Sequence, residues 1–142
     1  MNKRWMPWAL PGAAVLLLDR AVKFLHLNRA AGAEPMVRNT GMAFGMFQGN
    51  STAILAVSAL LVVACVVLLR DARLSGWAPA ALSLIAGGAL GNMIDRLAYG
   101  YVIDMFPFFG WFVFNVADVG VVAGAILCGA SLLFRPRDWS GK

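Results

Sequence analysis

The chain has 142 residues, of which 61% are hydrophobic and only 13% charged, with a formal net charge of +5 and a mean hydropathy of +0.74. A soluble domain usually carries about a quarter charged residues, so a soluble globular enzyme and a disordered chain are both excluded. The Lys and Arg residues form no cluster, which excludes a nucleic-acid-binding module despite the basic balance. The expectation is a single all-α membrane domain over residues 1–142.

Taken in chain order, the sequence has four apolar stretches, over residues 6–27, 52–69, 74–96 and 111–134. A membrane helix needs ~20 apolar residues, with a range of ~17–25. The first stretch must tolerate Asp19, Arg20 and Lys23; the fourth is broken only by Asp118. With both termini cytoplasmic, the inner segments hold Lys3, Arg4, Arg70, Arg73, Arg135, Arg137 and Lys142. The outer segments then hold Arg29 and Arg38, in keeping with the rule that Lys and Arg stay inside. Trp5, Trp8 and Trp111 suit an aromatic belt. Ala31-Gly32-Ala33 has the form of a signal-peptide cleavage site, but the apolar run ends far upstream at Leu18, so span one is read as retained.

The inner loop, 70–73, is short. The first outer segment, about residues 28–51, is polar and Gly-rich, with room for a small extended element and a turn. The second, 97–110, is too apolar for a solvated loop and is expected in the headgroup layer or folded back on the helix ends. Cys65 and Cys128 fall within spans and read as small core residues. His26, the only histidine, reads as an interfacial side chain. One His and two buried Cys assemble neither a zinc site nor a Cys/His enzyme.

Charges inside a membrane are costly and mark function. Helix rise puts Asp19 ~22 Å, Lys23 ~28 Å, Asp95 ~33 Å and Asp118 ~25 Å above the inner boundary. The hydrocarbon core is ~30 Å thick, so all four converge on its outer third, beside the segment carrying Asp104. Asp19 and Lys23 are i, i+4 and share a face. Asn92, Asp95 and Arg96 share another, as do Asn115 and Asp118. Each Asn is placed to hold a carboxylate or a substrate carbonyl. Gly87-x-x-x-Gly91 and Gly120-x-x-x-Gly124 allow close helix approach near these groups. Asp19–Lys23 and Asp95–Arg96 read as structural pairs that neutralise one another. Asp104 and Asp118 have no such cation in sequence. Two such acids can share one proton, one acting as base and the other as acid. On spacing alone, this dyad and two unrelated interfacial acids fit equally.

Five blocks in order carry a resemblance that decides between them: Asp19-Arg-Ala-Val-Lys23, Arg38-Asn-Thr-Gly-Met-Ala-Phe-Gly45, Gly87-Gly-Ala-Leu-Gly-Asn-Met-Ile-Asp-Arg96, Gly100-Tyr-Val-Ile-Asp104-Met-Phe106 and Phe114-Asn-Val-Ala-Asp118. With these the chain resembles the lipoprotein signal peptidase (signal peptidase II) family of bacterial membrane aspartic peptidases. The resemblance implies four transmembrane helices with a small extracytoplasmic β-cradle, in the bacterial cytoplasmic (inner) membrane. It implies Asp104 and Asp118 as the catalytic dyad that activates water, with Asn115 positioning Asp118. Asn39 and Gly41 resemble the motif that holds substrate near the dyad. Asn92, Asp95 and Arg96 resemble the motif that braces the site and contacts substrate backbone, and Asp19 and Lys23 its supporting pair. The implied reaction is cleavage of prolipoproteins just before a diacylglyceryl-modified Cys, with no metal or organic cofactor. Membrane lipids and globomycin-type inhibitors are the other implied partners, and the expected state is a monomer.

The intervals from Lys23 to Asn39 and from Asp104 to Asp118 are shorter than the family usually has, so the cradle and a lid-like element are expected to be trimmed. Arg20 stands where a neutral polar residue is expected and reads as facing headgroups. A carrier would place its acids near the midplane and often show paired repeats; here the acids lie towards one face. A non-catalytic scaffold would be expected to lack one dyad acid, and both are present.

Overall fold

A computed structural model describes residues 6–29, 36–41, 49–71 and 74–134. The expected inner-end residues Lys3, Arg4, Trp5, Arg73, Arg135, Arg137 and Lys142, the Ala31–Ala33 stretch and residues 42–45 of the second block lie outside these. The architecture is mostly helical, in the order α1 (Met6–Leu27), β1 (Val37–Asn39), α2 (Ser51–Leu68), α3 (Ala78–Tyr99), β2 (Val102–Asp104), β3 (Phe106–Phe108), β4 (Phe112–Phe114) and α4 (Val116–Leu133). By length and composition, α2 and α4 are each apolar enough to cross a membrane.

Helix ends follow local chemistry. α3 begins at Ala78 rather than at residue 74, because Gly76 sits at φ +60° and Pro79 fits only the first helical turn. It continues past Arg96 and stops where Gly100 turns left-handed at φ +78°. α4 begins at Val116, not at residue 111. The Phe112–Phe114 segment is a strand, and Asn115 caps the helix with its side-chain oxygen on the Asp118 N–H.

α3 is the hub, packed on α4, α1 and α2. Glycines make the crossings tight. A Cβ on Gly87 would strike the Gly12 backbone, and one on Gly88 would strike the Ala117 carbonyl. The Gly12 N–H donates to Ser83 Oγ at 2.9 Å, a polar tie between α1 and α3.

The strands form two small antiparallel sheets. β1 pairs with β2 in the register Val37↔Asp104, Arg38↔Ile103 and Asn39↔Val102. Arg38 also lies over the Tyr101 ring, 5.3 Å from its centroid. β3 pairs with β4 in the register Phe106↔Phe114 and Phe108↔Phe112. The 97–110 segment thus folds back on the helix ends, with Val102, Ile103, Asp104 and Met105 buried.

The interior is mixed: Ile54, Ala81, Leu82, Ile103 and Met105 are buried, and so are several polar and charged side chains. Buried side chains include Asp19, Lys23, Ser83, Asp95, Asp104 and Asn115, whereas Leu17, Leu60, Ile126 and Leu132 are exposed. An exposed apolar surface of this extent, over an interior that also holds charges, fits apolar surroundings. Cys65 is buried, Cys128 is half-buried, and both are free thiols.

Candidate active site

The β3–β4 hairpin sets the site. Because Phe106 faces Phe114, and the Met105 N–H donates to the Phe114 carbonyl at 3.0 Å, the chain enters α4 beside the strand that left β2. Asp104 and Asn115 are therefore neighbours. Asn115 Nδ2 donates to Asp104 Oδ1 at 2.7 Å and to Asn92 Oδ1 at 3.0 Å. The same residue holds Asp118. Its Oδ1 accepts from the Asp118 N–H at 2.8 Å, and its own N–H donates to Asp118 Oδ2 at 3.2 Å. This reciprocal capping box places Asp118 in the first turn of α4, where the helix dipole favours a carboxylate.

The remaining carboxylate oxygens are also held by amides. Asn92 Nδ2 donates to Asp118 Oδ1 at 2.8 Å. Asn39 Nδ2 donates to Asp104 Oδ2 at 3.0 Å; β1 places it diagonally across from Asp104 on the same face. Asn39 is itself oriented, because its Oδ1 accepts from the Gly41 N–H at 2.9 Å. Arg96 then donates to the Gly41 carbonyl at 2.8 Å. Burial pushes the Asp104 carboxyl up to about 6; the nearby Asp118 charge adds to this, while the amides of Asn39 and Asn115 and the Lys23 charge oppose it.

Behind the two acids lies a charged cluster. Asp19 and Asp95 are fully buried and Lys23 nearly so. Lys23 Nζ lies 3.0 Å from Asp19 Oδ2 and 2.6 Å from Asp95 Oδ2. The expected Asp19–Lys23 pair is therefore present. Asp95, however, pairs with Lys23 and Arg20, while the adjacent Arg96 donates to the Gly41 carbonyl instead. Arg20 also corrects its expected place at the headgroups. It lies 2.6 Å from Asp19 Oδ2 and 2.7 Å from Asp95 Oδ1, and it donates to the Gly91 carbonyl at 3.1 Å. Two buried acids need two cations, and that requirement was the signal available in the sequence.

An apolar groove of about 340 Å³ starts at Asp118, between Phe108, Phe112 and Phe114 of the hairpin and Val119, Val122 and Ile126 of α4. Among the described residues, no group of three or more His, Cys, Asp or Glu is arranged to hold a metal ion.

All ten residues singled out from the sequence therefore meet at one end of the bundle. A buried acid, Asp104, and a half-buried one, Asp118, bridged by one asparagine beside an apolar groove, have the arrangement that acid–base hydrolysis uses. The fold agrees with that class: it matches a solved bacterial membrane enzyme, determined by the in meso method at 2.3 Å resolution, with a TM-score of 0.82 and 26% identity, covering 96% of this chain and 93% of the other. The sequence model of signal peptidase (SPase) II matches residues 12–134, and the chain belongs to this peptidase family. It is 36% identical to the lipoprotein signal peptidase of Halothermothrix orenii, over 80% of this chain and 86% of the relative. It is 38% identical to that of Mesorhizobium japonicum, over 88% and 84% respectively.

Proposed function

We propose that this chain removes signal peptides from prolipoproteins as an aspartic endopeptidase, cutting just before the diacylglyceryl-modified Cys near the outer face of the bacterial cytoplasmic membrane. In this reading residues 1–142 form a single four-span domain with cytoplasmic termini, acting as a monomer, and the two small sheets cap its outer end. Family membership supports the activity. The observation that carries the catalytic assignment is the single Asn115 that holds Asp104 and Asp118 together.

The chemistry follows from that pairing. One carboxylate takes a proton from water as the water attacks the scissile carbonyl; the other, protonated, gives its proton to the carbonyl oxygen. The raised Asp104 keeps a protonated carboxyl within reach of neutral pH. Asn92 and Asn115 orient Asp118, and Asn39 orients Asp104. Gly41, held by Arg96, edges the substrate side of the site, and Asp19, Lys23 and Asp95 support it from behind. No metal or organic cofactor takes part. The apolar groove beside Asp118 suits a substrate whose acyl chains stay in the bilayer, and globomycin-type peptides are expected to inhibit by covering the acids.

The test is cleavage of a lipidated prolipoprotein by the purified protein in detergent, read by product mass. The expected product begins at the lipidated Cys, and Asp104→Asn and Asp118→Asn each abolish its formation. Wild-type turnover in either variant would overturn the dyad.

A further inference from the structure

The cluster behind the acids has a regular pattern. Asp95 Oδ2 accepts the Ile103 N–H at 3.1 Å, and Ile103 immediately precedes Asp104. Asp19 Oδ1 accepts the Ala117 N–H at 2.9 Å, and Ala117 immediately precedes Asp118. Each buried acid of the cluster thus grips the backbone one residue before one of the two proposed catalytic acids. These grips tie β2 to α3 and the α4 N-terminus to α1.

What holds the two grips together is a pair of cations. Lys23 bridges Asp19 and Asp95 on one side. Arg20 bridges the same two acids on the other, while its contact with the Gly91 carbonyl ties it to α3. Gly91 leaves room for this: a Cβ there would come within 3.0 Å of Asp19 Oδ2 and 3.2 Å of Ala117 Cβ. Two acids and two cations make the unit neutral, which is the condition for burying it. We infer that Arg20 is a positioning residue for the reaction: as the second bridging cation, it locks Asp19 and Asp95 at a fixed separation and so sets the spacing of Asp104 and Asp118. This rests on the proposed dyad. The site does not need Arg20 to touch substrate, and its side chain is 28% exposed against 3% for Lys23, so it can be changed with less disturbance than Lys23.

The charged groups that act on the two acids are Asp19 and Lys23 from α1 and Arg96 from α3, with Asp95 behind them at the Ile103 N–H. Replacing Arg20 by Gln leaves one of the two bridges and a net negative unit behind the acids. Their separation loosens, and proton release from them becomes harder.

The experiment compares wild type, Arg20→Gln, Arg20→Lys and Asp104→Asn as full chains in detergent. It measures kcat, KM and the pH profile on a lipidated prolipoprotein, and amide hydrogen exchange over residues 102–118. Arg20→Gln is expected to lower kcat about tenfold to a hundredfold, the scale of a small misplacement of reacting groups, with KM little changed. Its acidic limb should move to higher pH, and exchange at Ile103 and Ala117 should quicken together. Arg20→Lys restores the charge and should recover most of the kcat and both protections. Wild-type kcat and pH profile in Arg20→Gln would overturn the inference, as would quickened exchange at only one of the two amides. Should Arg20→Gln not fold, Arg20→Lys decides: activity retained with both amides protected supports the role, and activity lost with both protected refutes it. A wild-type protein that cleaves nothing would overturn the peptidase reading instead, while the exchange data would still decide whether Arg20 couples the two segments.

Discussion

At the scale of single residues, Asn115 does two jobs that substitution can separate. Its oxygen caps α4 and its amide nitrogen donates to Asp104. Ser also caps well but is too short to reach Asp104. Asn115→Ser should therefore keep the thermal midpoint near that of wild type while kcat falls about a hundredfold, the scale of losing one preorganised donor. Equal turnover in the two proteins would contradict the bridging role. Asp104 carries a signature in stability. Its carboxyl sits near 6 when folded against 3.8 in the ordinary state, so between those values the folded chain binds more protons than the unfolded one. Its contribution to stability is then fully present below about pH 4 and falls as pH rises towards about 6. The melting difference between wild type and Asp104→Asn should accordingly favour wild type more at pH 4 than at pH 7, by on the order of 1 kcal/mol after discounting for solvent. A difference independent of pH would contradict the raised carboxyl.

At the scale of elements, the helix crossings deliver the acids. Gly88 lies against the Ala117 carbonyl and Val121, just where α3 must approach α4 for Asn92 to reach Asp118. Gly88→Ala should push the helices apart, costing about 1–3 kcal/mol as an overpacked contact and lowering kcat with it. Gly129→Ala on α4 meets nothing within 4 Å and should be neutral or slightly stabilising, since Ala favours helix over Gly by about 1 kcal/mol. Equal behaviour of the two variants in melting and turnover would refute the crossing argument. The hairpin is the other delivering element. Its turn residues Phe109 and Gly110 both have positive φ, +46° and +75°, in a three-residue connection closed by the Trp111 N–H, which donates to the Phe108 carbonyl at 2.9 Å. Gly110 takes that conformation freely. Phe109 does not, and the stacked pair Phe108–Phe112 with the tilted pair Phe106–Phe114 holds the strands in register around it.

At the scale of the whole molecule, what the sequence made legible was what a one-dimensional pattern can carry. Apolar runs marked four helices, and charges breaking those runs marked the end where Asp19, Lys23, Asp95 and Asp118 meet. The strands were harder to read. Phe112–Phe114 is as apolar as the helix it precedes, so hydropathy alone merged the two, although Asn115 with Asp118 three residues on was a readable capping signal. Pro79 was likewise a readable start for α3. Arg20 was misplaced because its partner Asp95 is 75 positions away, and no local spacing reports such a contact. An exposed apolar surface over an interior that also holds charges is the molecule-wide consequence, and it sets the acids in a linked cluster where each group depends on the others. The central claim is that Asp104 and Asp118 act as one unit on one water, and it is tested most directly by cleavage kinetics of Asp104→Asn, Asp118→Asn and the double variant on a lipidated prolipoprotein. The account predicts that each single change costs as much as both together, because residues acting as a unit are non-additive. Losses that multiply in the double variant, or a single variant that turns over at the wild-type rate, would contradict it.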